Sequence, residues 1–264
     1  MDFEQKIIWI TGASSGIGKA LALALSGLGA RLIVSSRNEN ALNAVRSLCK
    51  YPEKVKLLPL DLAEYDHFDT LIPQAISLFG SIDMLINNGG ISQRSYAVDT
   101  DIATDKRLFD VNFFGTVALT KALLPYFIER KAGHIVVVSS VVGKIGTPKR
   151  SSYAASKHAL HGFFDSLRAE VYEDNIAVTI ICPGYVHTDI SKNALMGDGS
   201  PQNKMDQATA RGLPPEVFAR KMLKAIAAGK REVIISGAKE RLAVYLKRFF
   251  PSLLAKTIRK VNVT

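Results

Sequence analysis

The sequence predicts an α/β protein built on one doubly wound parallel sheet of about seven strands, in a single domain spanning residues 1–264. Three observations carry this. Short runs rich in Ile and Val recur along the chain, mostly without the alternation of a sheet that has one wet face. Longer stretches of helical periodicity separate them. No Pro/Gly/Ser-rich linker and no internal repeat divides the chain. With 47% hydrophobic and 22% charged residues, the composition is that of a folded globular chain.

The first strand is expected at Lys6–Thr11. It runs into Thr11-Gly12-Ala13-Ser14-Ser15-Gly16-Ile17-Gly18, and a helix follows over Ile17–Leu28. Glycines there permit a tight turn and close backbone approach, and amides at the helix N-terminus face an anion. Gly12, Ser14, Ser15, Gly16, Ile17 and Gly18 are therefore candidate contacts for a pyrophosphate. The G-x-x-x-G-x-G spacing lacks the lysine of a nucleoside-triphosphate loop, which argues against that class.

The second strand, Arg31–Ser35, ends in Ser35-Ser36-Arg37-Asn38, with no acid until Glu39. A carboxylate at this place accepts from the ribose 2′-hydroxyl of NAD. Arg37 instead suits a 2′-phosphate, which points to NADP(H) rather than NAD(H). A helix over Asn40–Lys50 and a strand at Val55–Pro59 follow. The strand Ile82–Ile86 closes in Asn87-Asn88-Gly89-Gly90, a sequence suited to a backbone turn beside a ligand.

The helical stretch Thr104–Glu129 contains Asn112, an amide among apolar neighbours that is either a satisfied core group or a bridge for water. Strand His134–Val138 leads to Ser139-Ser140, at the carboxyl edge where such sheets bind ligands. The helix Tyr153–Tyr172 opens with Tyr153-Ala154-Ala155-Ser156-Lys157, and the i, i+4 spacing puts Tyr153 and Lys157 on one face. A free tyrosine, with a pKa of about 10, is a poor acid–base catalyst at neutral pH. An ammonium beside it stabilises the phenolate, so that Tyr153 can exchange a proton with a carbonyl or alcohol oxygen held by a serine hydroxyl. The last strands are expected at Ile176–Ile181 and Glu232–Ile235. Between them, residues 189–215 hold three glycines and three prolines with little apolar periodicity, and read as a substrate lid.

Taken together, these motifs resemble the compact, single-domain branch of the short-chain dehydrogenase/reductases, with a Rossmann-type sheet. The matches are Thr11–Gly18, Asp61, Asn87–Gly90, Asn112, Ser140, Tyr153, Lys157 and Pro183-Gly184 with Thr188, in family order over roughly residues 6–190. The family's serine stands thirteen residues before its tyrosine, which selects Ser140 over Ser139. The resemblance implies a catalytic tetrad of Asn112, Ser140, Tyr153 and Lys157, with Asn112 holding a proton-relaying water. It implies that Asp61 and Leu62 border an adenine, and that Asn88, Gly89 and Gly90 line the cofactor. Lys157 would also hold the nicotinamide ribose, and Pro183, Gly184, Val186 and Thr188 would position the nicotinamide. One departure is a second glycine in Asn87-Asn88-Gly89-Gly90, where the family usually reads N-N-A-G. The Ser-Arg-Asn end of the second strand and the basic, apolar tail are most similar to the dehydrogenase/reductase family member 7 group. The N-terminal membrane anchor usual in animal members of that group is not expected here.

The activity implied is NADP(H)-dependent interconversion of a carbonyl and a secondary alcohol, on an apolar or lipid-like small molecule. The competing readings are a 3-oxoacyl-thioester reductase of fatty-acid synthesis with an acidic carrier partner, a lyase or epimerase with tightly held cofactor, and a non-catalytic cofactor-binding protein. A homodimer or homotetramer is expected from the family.

The formal net charge is +10, from 34 Lys and Arg against 24 Asp and Glu. Residues 220–264 carry all of that excess; the preceding body is neutral, and no nucleic-acid motif accompanies it. Within the tail, residues 238–260 place Leu242, Tyr245, Leu246, Phe249, Phe250, Leu253, Leu254 and Ile258 at helical spacing among basic residues, with Pro251 expected to kink or divide the helix. This is the pattern of a basic amphipathic segment that lies on an anionic membrane, covers the substrate entrance or packs on a second subunit. Two cysteines, Cys49 and Cys182, make neither a disulfide framework nor a zinc site, and the five histidines show no metal-ligand spacing, so no metal is expected. The acidic N-terminus and the lack of a long uncharged apolar stretch give a cytoplasmic protein as the expectation, with membrane association through the tail.

Overall fold

The structure, a computed structural model, describes residues 2–259. Among them, seven strands form one sheet: β1 (Ile7–Thr11), β2 (Arg31–Ser35), β3 (Val55–Leu57), β4 (Met84–Asn87), β5 (Gly133–Val138), β6 (Ile176–Pro183) and β7 (Glu232–Ile235). All pairs are parallel, and the order is β3-β2-β1-β4-β5-β6-β7. The helices are α1 (Gly16–Gly27), α2 (Glu39–Leu48), α3 (Phe68–Ser77), α4 (Ile102–Phe109), α5 (Gly115–Arg130), α6 (Ser151–Glu170), α7 (Gln207–Ala210), α8 (Pro215–Ala227), α9 (Ala238–Phe249) and α10 (Pro251–Ile258).

The inner strands β1, β2, β4, β5 and β6 bury both faces, which is why their sequences do not alternate, while the edge strands β3 and β7 are partly exposed. Ile8, Ile10, Leu32 and Val34 pack with Leu21 and Leu25 of α1, Leu42 of α2 and Phe218 and Met222 of α8. Ile7, Trp9, Ile33, Leu85 and Ile135 pack on the other face with Ile72 of α3, Leu119, Leu123 and Phe127 of α5, and Leu160 and Phe164 of α6. Trp9 is fully buried, as its apolar surroundings require, and its indole N–H donates to Ser35 Oγ at 2.8 Å. Cys182 is likewise buried and free.

Two local features depart from the sequence expectation. The helix expected over Thr104–Glu129 runs from Ile102 to Arg130 but is interrupted by one π-helical turn, Asp110–Phe114, that holds Asn112. A π turn widens the ladder by one residue, an insertion that hydrophobic periodicity does not register. This run is long and apolar enough to cross a membrane by length and composition, but Leu108, Leu119, Leu123 and Phe127 are buried in the core.

The tail divides at Pro251, as expected, but its apolar residues do not share one environment. Leu254, with Ala243, Val244, Leu246 and Ile258, packs against Val141, Ile145 and Ile234. Leu242, Tyr245, Phe249, Phe250 and Leu253 stay exposed. Lys260, the end of the expected segment, lies outside the described residues.

Candidate active site

The strand order reverses direction between β1 and β4, and ligands of open α/β sheets bind outside the carboxyl ends of strands at such a switch point. A cleft of about 720 Å³ lies there. Its wall includes Gly12, Ser14, Ser15, Gly16, Ile17, Arg37, Asp61, Leu62, Asn88, Gly89, Gly90, Ser140, Tyr153, Lys157, Pro183, Gly184, Val186 and Thr188. Of the expected site residues, Gly18 and Asn112 stand behind the wall.

The turns after β1 and β4 are stitched together. Thr11 Oγ1 accepts from the amides of Asn88 and Gly89, each at 3.0 Å, and Asn88 Nδ2 donates to the carbonyls of Thr11 and Gly12. The approach is close enough to demand glycine. Gly12 has φ +64°, and a Cβ there would lie 2.8 Å from Gly89 Cα. At Gly18 a Cβ would fall 2.2 Å from the Gly12 carbonyl oxygen, so this glycine shapes the turn from behind. No side chain caps α1 and no acid stands in its first turn, so its leading amides face the cleft as donors for an anion. The space that a Cβ would enter at Gly89 is taken by Leu62 Cδ1, 2.4 Å from that position. The residues present thus fit a dinucleotide laid across the switch point. At the far end Arg37 is 62% exposed and 3.9 Å from Asp61, with Ser36 and Asn38 also in the wall.

α6 carries Tyr153 and Lys157 to the cleft. Its first amides, those of Ser152 and Tyr153, are capped by Gln93 Oε1 at 3.0 and 3.2 Å, from a loop some sixty residues away in sequence. Ser140 begins a short 3₁₀ turn after β5, its Oγ accepting from the Val142 amide, and its hydroxyl hydrogen-bonds the Tyr153 side chain. Lys157 is buried, and its Nζ donates to the Val138 carbonyl at 2.9 Å. Asn112 Nδ2 donates to the Ile91 carbonyl and to Ser156 Oγ, while its Oδ1 accepts from the Ile91 amide at 2.8 Å. The amide is therefore the satisfied core group, joining the Ile91 loop to α6. A side chain at 90 would crowd Asn112 Oδ1, 3.0 Å from its Cβ position, and Lys157 Nζ, 3.3 Å away.

The electrostatics differ from the expectation. Burial pushes Tyr153 above the ordinary tyrosine range. The Ser140 hydrogen bond opposes that rise, and so do two cations, Arg150 and Arg94; Lys157 is not among the groups that lower it. Burial holds Lys157 down at about 8, so it is a poorer cation than the i, i+4 spacing suggests.

The two arginines belong to a cluster that the sequence does not reveal. Arg94 donates to Asp206 Oδ2 from Nε at 2.8 Å and from Nη2 at 2.6 Å, and Arg150 Nη2 lies 3.4 Å from the same oxygen. Asp206 belongs to residues 189–215, the expected lid. That segment lines the cleft with Asp189, Ile190, Asn193, Leu195, Gly199 and Pro201. It is also held by backbone: Leu195 exchanges hydrogen bonds with Ser92 and Arg94, each at 2.8 Å, and the Asp101 amide donates to the Gly197 carbonyl.

The fold also gathers His161, Asp165 and Glu232, whose ligand atoms come within 4.8 Å of one another although their sequence spacing suggests nothing. Lys144 and Arg168 pair with the two acids, each at 2.6 Å, and supply the positive charge there.

Comparison with known proteins agrees with this architecture. A family profile described as short chain dehydrogenase matches residues 6–198. A "Dehydrogenase/reductase SDR family protein 7-like" of Anopheles gambiae is 44% identical over 98% of this chain and 85% of its own length. "Dehydrogenase/reductase SDR family member 7B" of Bos taurus is 44% identical over 95% and 79%. Among solved structures, a short chain dehydrogenase/reductase of Burkholderia phymatum in complex with NAD superposes with a TM-score of 0.85 at 22% identity, covering 96% of both chains. A short chain dehydrogenase of Burkholderia cenocepacia in complex with NADP gives 0.80 at 23%, covering 98% and 99%. With its parallel sheet, glycine turn and site residues in one cleft, the chain belongs to the short-chain dehydrogenase/reductase family of NAD(P)-binding oxidoreductases and, within it, to the group of the family 7-like proteins.

Proposed function

We propose that this chain is an NADP(H)-dependent oxidoreductase that interconverts a carbonyl and a secondary alcohol on an apolar or lipid-like substrate, with Tyr153 as general acid and base. The observation that carries the reading is the meeting of Ser140, Tyr153 and Lys157 with the glycine turn in one cleft. When bound there, the nicotinamide would supply or accept the hydride. The chain's own part is placement and proton transfer. In reduction, the Tyr153 hydroxyl donates its proton to the carbonyl oxygen, and Ser140 Oγ donates a hydrogen bond to the same oxygen. Burial favours the protonated tyrosine that this direction needs. Gln93 and Asn112 hold α6 and the Ile91 loop in register. Lys157, on the same face of α6, is the group placed to return a proton to Tyr153, and Asn112 serves by holding the Ile91 loop against α6.

The preference for NADP(H) rests on Arg37, a mobile-length cation at the cleft's end whose nearest acid is 3.9 Å away, on a strand end that has no carboxylate of its own. A substrate that is apolar is supported by Ile91, Val111, Ile190 and Leu195 in the wall. The test of the reading is Tyr153→Phe, with turnover followed by NADPH absorbance and NADPH binding by fluorescence titration. General acid–base catalysis contributes about 10²–10⁴-fold, so turnover falls by at least about a hundredfold while NADPH affinity is kept. Residual activity near that of the unsubstituted enzyme would remove Tyr153 from its role.

A further inference from the structure

We propose that the helical pair α9–α10 is a docking surface for an anionic lipid membrane, placed against the wall of the active-site cleft. Among the described residues nothing covers the apolar part. Leu242, Tyr245 and Phe249 fall on one stripe of α9 by i, i+3, i+7 spacing, with Phe250 at the joint and Leu253 beyond Pro251 exposed as well. All five are between 50% and 67% exposed. Aromatic and leucine side chains together are what seats a helix in the boundary between headgroups and acyl chains.

The charge decides the occupant. Lys239, Arg241, Lys247, Arg248, Lys256 and Arg259 are exposed on the same helical pair, against one acid, Glu240. Glu240 is turned towards Gly237 and Gly184, its carboxylate oxygens lying 2.5 and 3.8 Å from where a Cβ would stand at those two positions. A second copy of the chain brings the same basic rim, so face-to-face pairing through this patch sets cation against cation. A neutral bilayer would leave the rim unpaired. An anionic leaflet satisfies both parts, apolar stripe and basic rim, at once.

The inner side of the pair is attached to the site. Leu254, Leu246 and Ile258 pack on Val141 and Ile145, the residues that follow Ser140. The start of α9 meets the cleft at Gly184, where a Cβ would stand 2.6 Å from Ser236 and 3.8 Å from Glu240. A chain docked through α9–α10 therefore has its cleft wall one helix thickness from the lipid surface. The docking itself holds whatever the substrate is.

The experiment uses the full chain in vesicle sedimentation, with phosphatidylcholine vesicles carrying phosphatidylserine or none. The protein is expected to pellet with the anionic vesicles and not with the neutral ones, and added salt weakens the binding because exposed charges are screened. The double reversal Arg241→Glu with Arg248→Glu weakens partition by more than about tenfold. The triple variant Leu242→Ser, Tyr245→Ser, Phe249→Ser weakens it similarly. Thermal melting and NADPH titration keep both variants comparable, since none of these residues lines the cleft. Failure of the protein to pellet, or equal pelleting of all forms, overturns the proposal. So does a change of sedimentation coefficient from dimer to monomer in the triple variant with vesicle binding unaltered, because the stripe then belongs to a second copy.

Discussion

Asp206→Asn and Arg94→Met, taken together, test whether the charge cluster beneath residues 189–215 sets the proton affinity of Tyr153. Asp206 and Arg94 are 1% and 4% exposed, and Arg150 beside them is 6% exposed. Removing one partner of a buried ion pair costs about 3–5 kcal/mol, because the other charge stays out of water. At about 2–4 °C per kcal/mol for a chain of this size, Asp206→Asn melts roughly 10 °C lower. Arg94→Met is milder, since Asp206 keeps Arg150 at 3.4 Å. The effects on Tyr153 have opposite sign. Arg94 and Arg150 work against the rise that burial imposes on the tyrosine. On the proposed mechanism the phenolate is the base in alcohol oxidation, so the rate climbs as pH passes through the Tyr153 pKa. Loss of Arg94 moves that rising limb to higher pH. Loss of the Asp206 charge removes the carboxylate that both arginines face, strengthens their pull on the phenolate and moves it to lower pH. The assay is kcat for alcohol oxidation against pH at saturating NADP+, beside a thermal melt of each variant. Unmoved limbs in two destabilised variants would show the cluster to be structural only and refute the reasoning.

Three further outcomes follow from the same geometry. Arg37→Asp removes a charge-assisted bond worth about 1.5–3 kcal/mol and adds a like charge, so the ratio of kcat/KM for NADPH over NADH falls by at least about tenfold; an unchanged ratio rejects Arg37 as the 2′-phosphate contact. Gly18→Ala drives a Cβ into the Gly12 carbonyl, 2.2 Å away, an overpacking of about 1–3 kcal/mol, and dinucleotide affinity measured by fluorescence titration falls with it. Lys157→Met stabilises the cofactor-free chain while abolishing turnover. The folded-state pKa of Lys157 is about 8 against 10.5, so its buried charge costs up to about 3 kcal/mol below pH 8, and that cost fades as pH rises from 8 to 10.5. Melting curves of the two forms should converge over that interval, and parallel curves would contradict it.

The features that were legible in the sequence are those set by near neighbours along the chain. Strands buried on both faces give Ile- and Val-rich runs, and the seven predicted runs are the seven strands, shifted by a residue or two at their ends. The turn after β1 was legible because glycine alone tolerates φ +64° with a backbone 2.8 Å away. Tyr153 and Lys157 were legible because four residues are one helical turn. What was not legible depends on distant pairs. Arg94 and Asp206 are 112 residues apart, and Gln93 caps a helix sixty residues on. The π turn at Asn112 leaves no trace in apolar periodicity. In the tail, periodicity places Leu254 and Leu253 among the same apolar residues; only the packing of α10 on Val141 and Ile145 decides that one is 6% and the other 50% exposed.

Those distant pairs also explain why a long segment of little regular structure holds one shape. Residues 189–215 contain only the four-residue helix α7 and isolated bridges, so secondary structure contributes little to ordering them. The backbone exchange at Leu195, the Asp101–Gly197 bond and the contact of Thr104 Oγ1 with the Gly197 carbonyl fix the segment at its middle. Asp206 fixes it further on, with Gln202 Nε2 donating to its second oxygen at 3.1 Å. Withdrawing the segment from the cleft means withdrawing that carboxylate from two arginines that are nearly excluded from water. Breaking a buried ion pair costs about 3–5 kcal/mol, so this contact holds the segment more firmly than an exposed one would. The ion cluster therefore ties this wall of the cleft to the start of α6, so that the arginines that act on Tyr153 and the segment that lines the cleft are held by the same carboxylate.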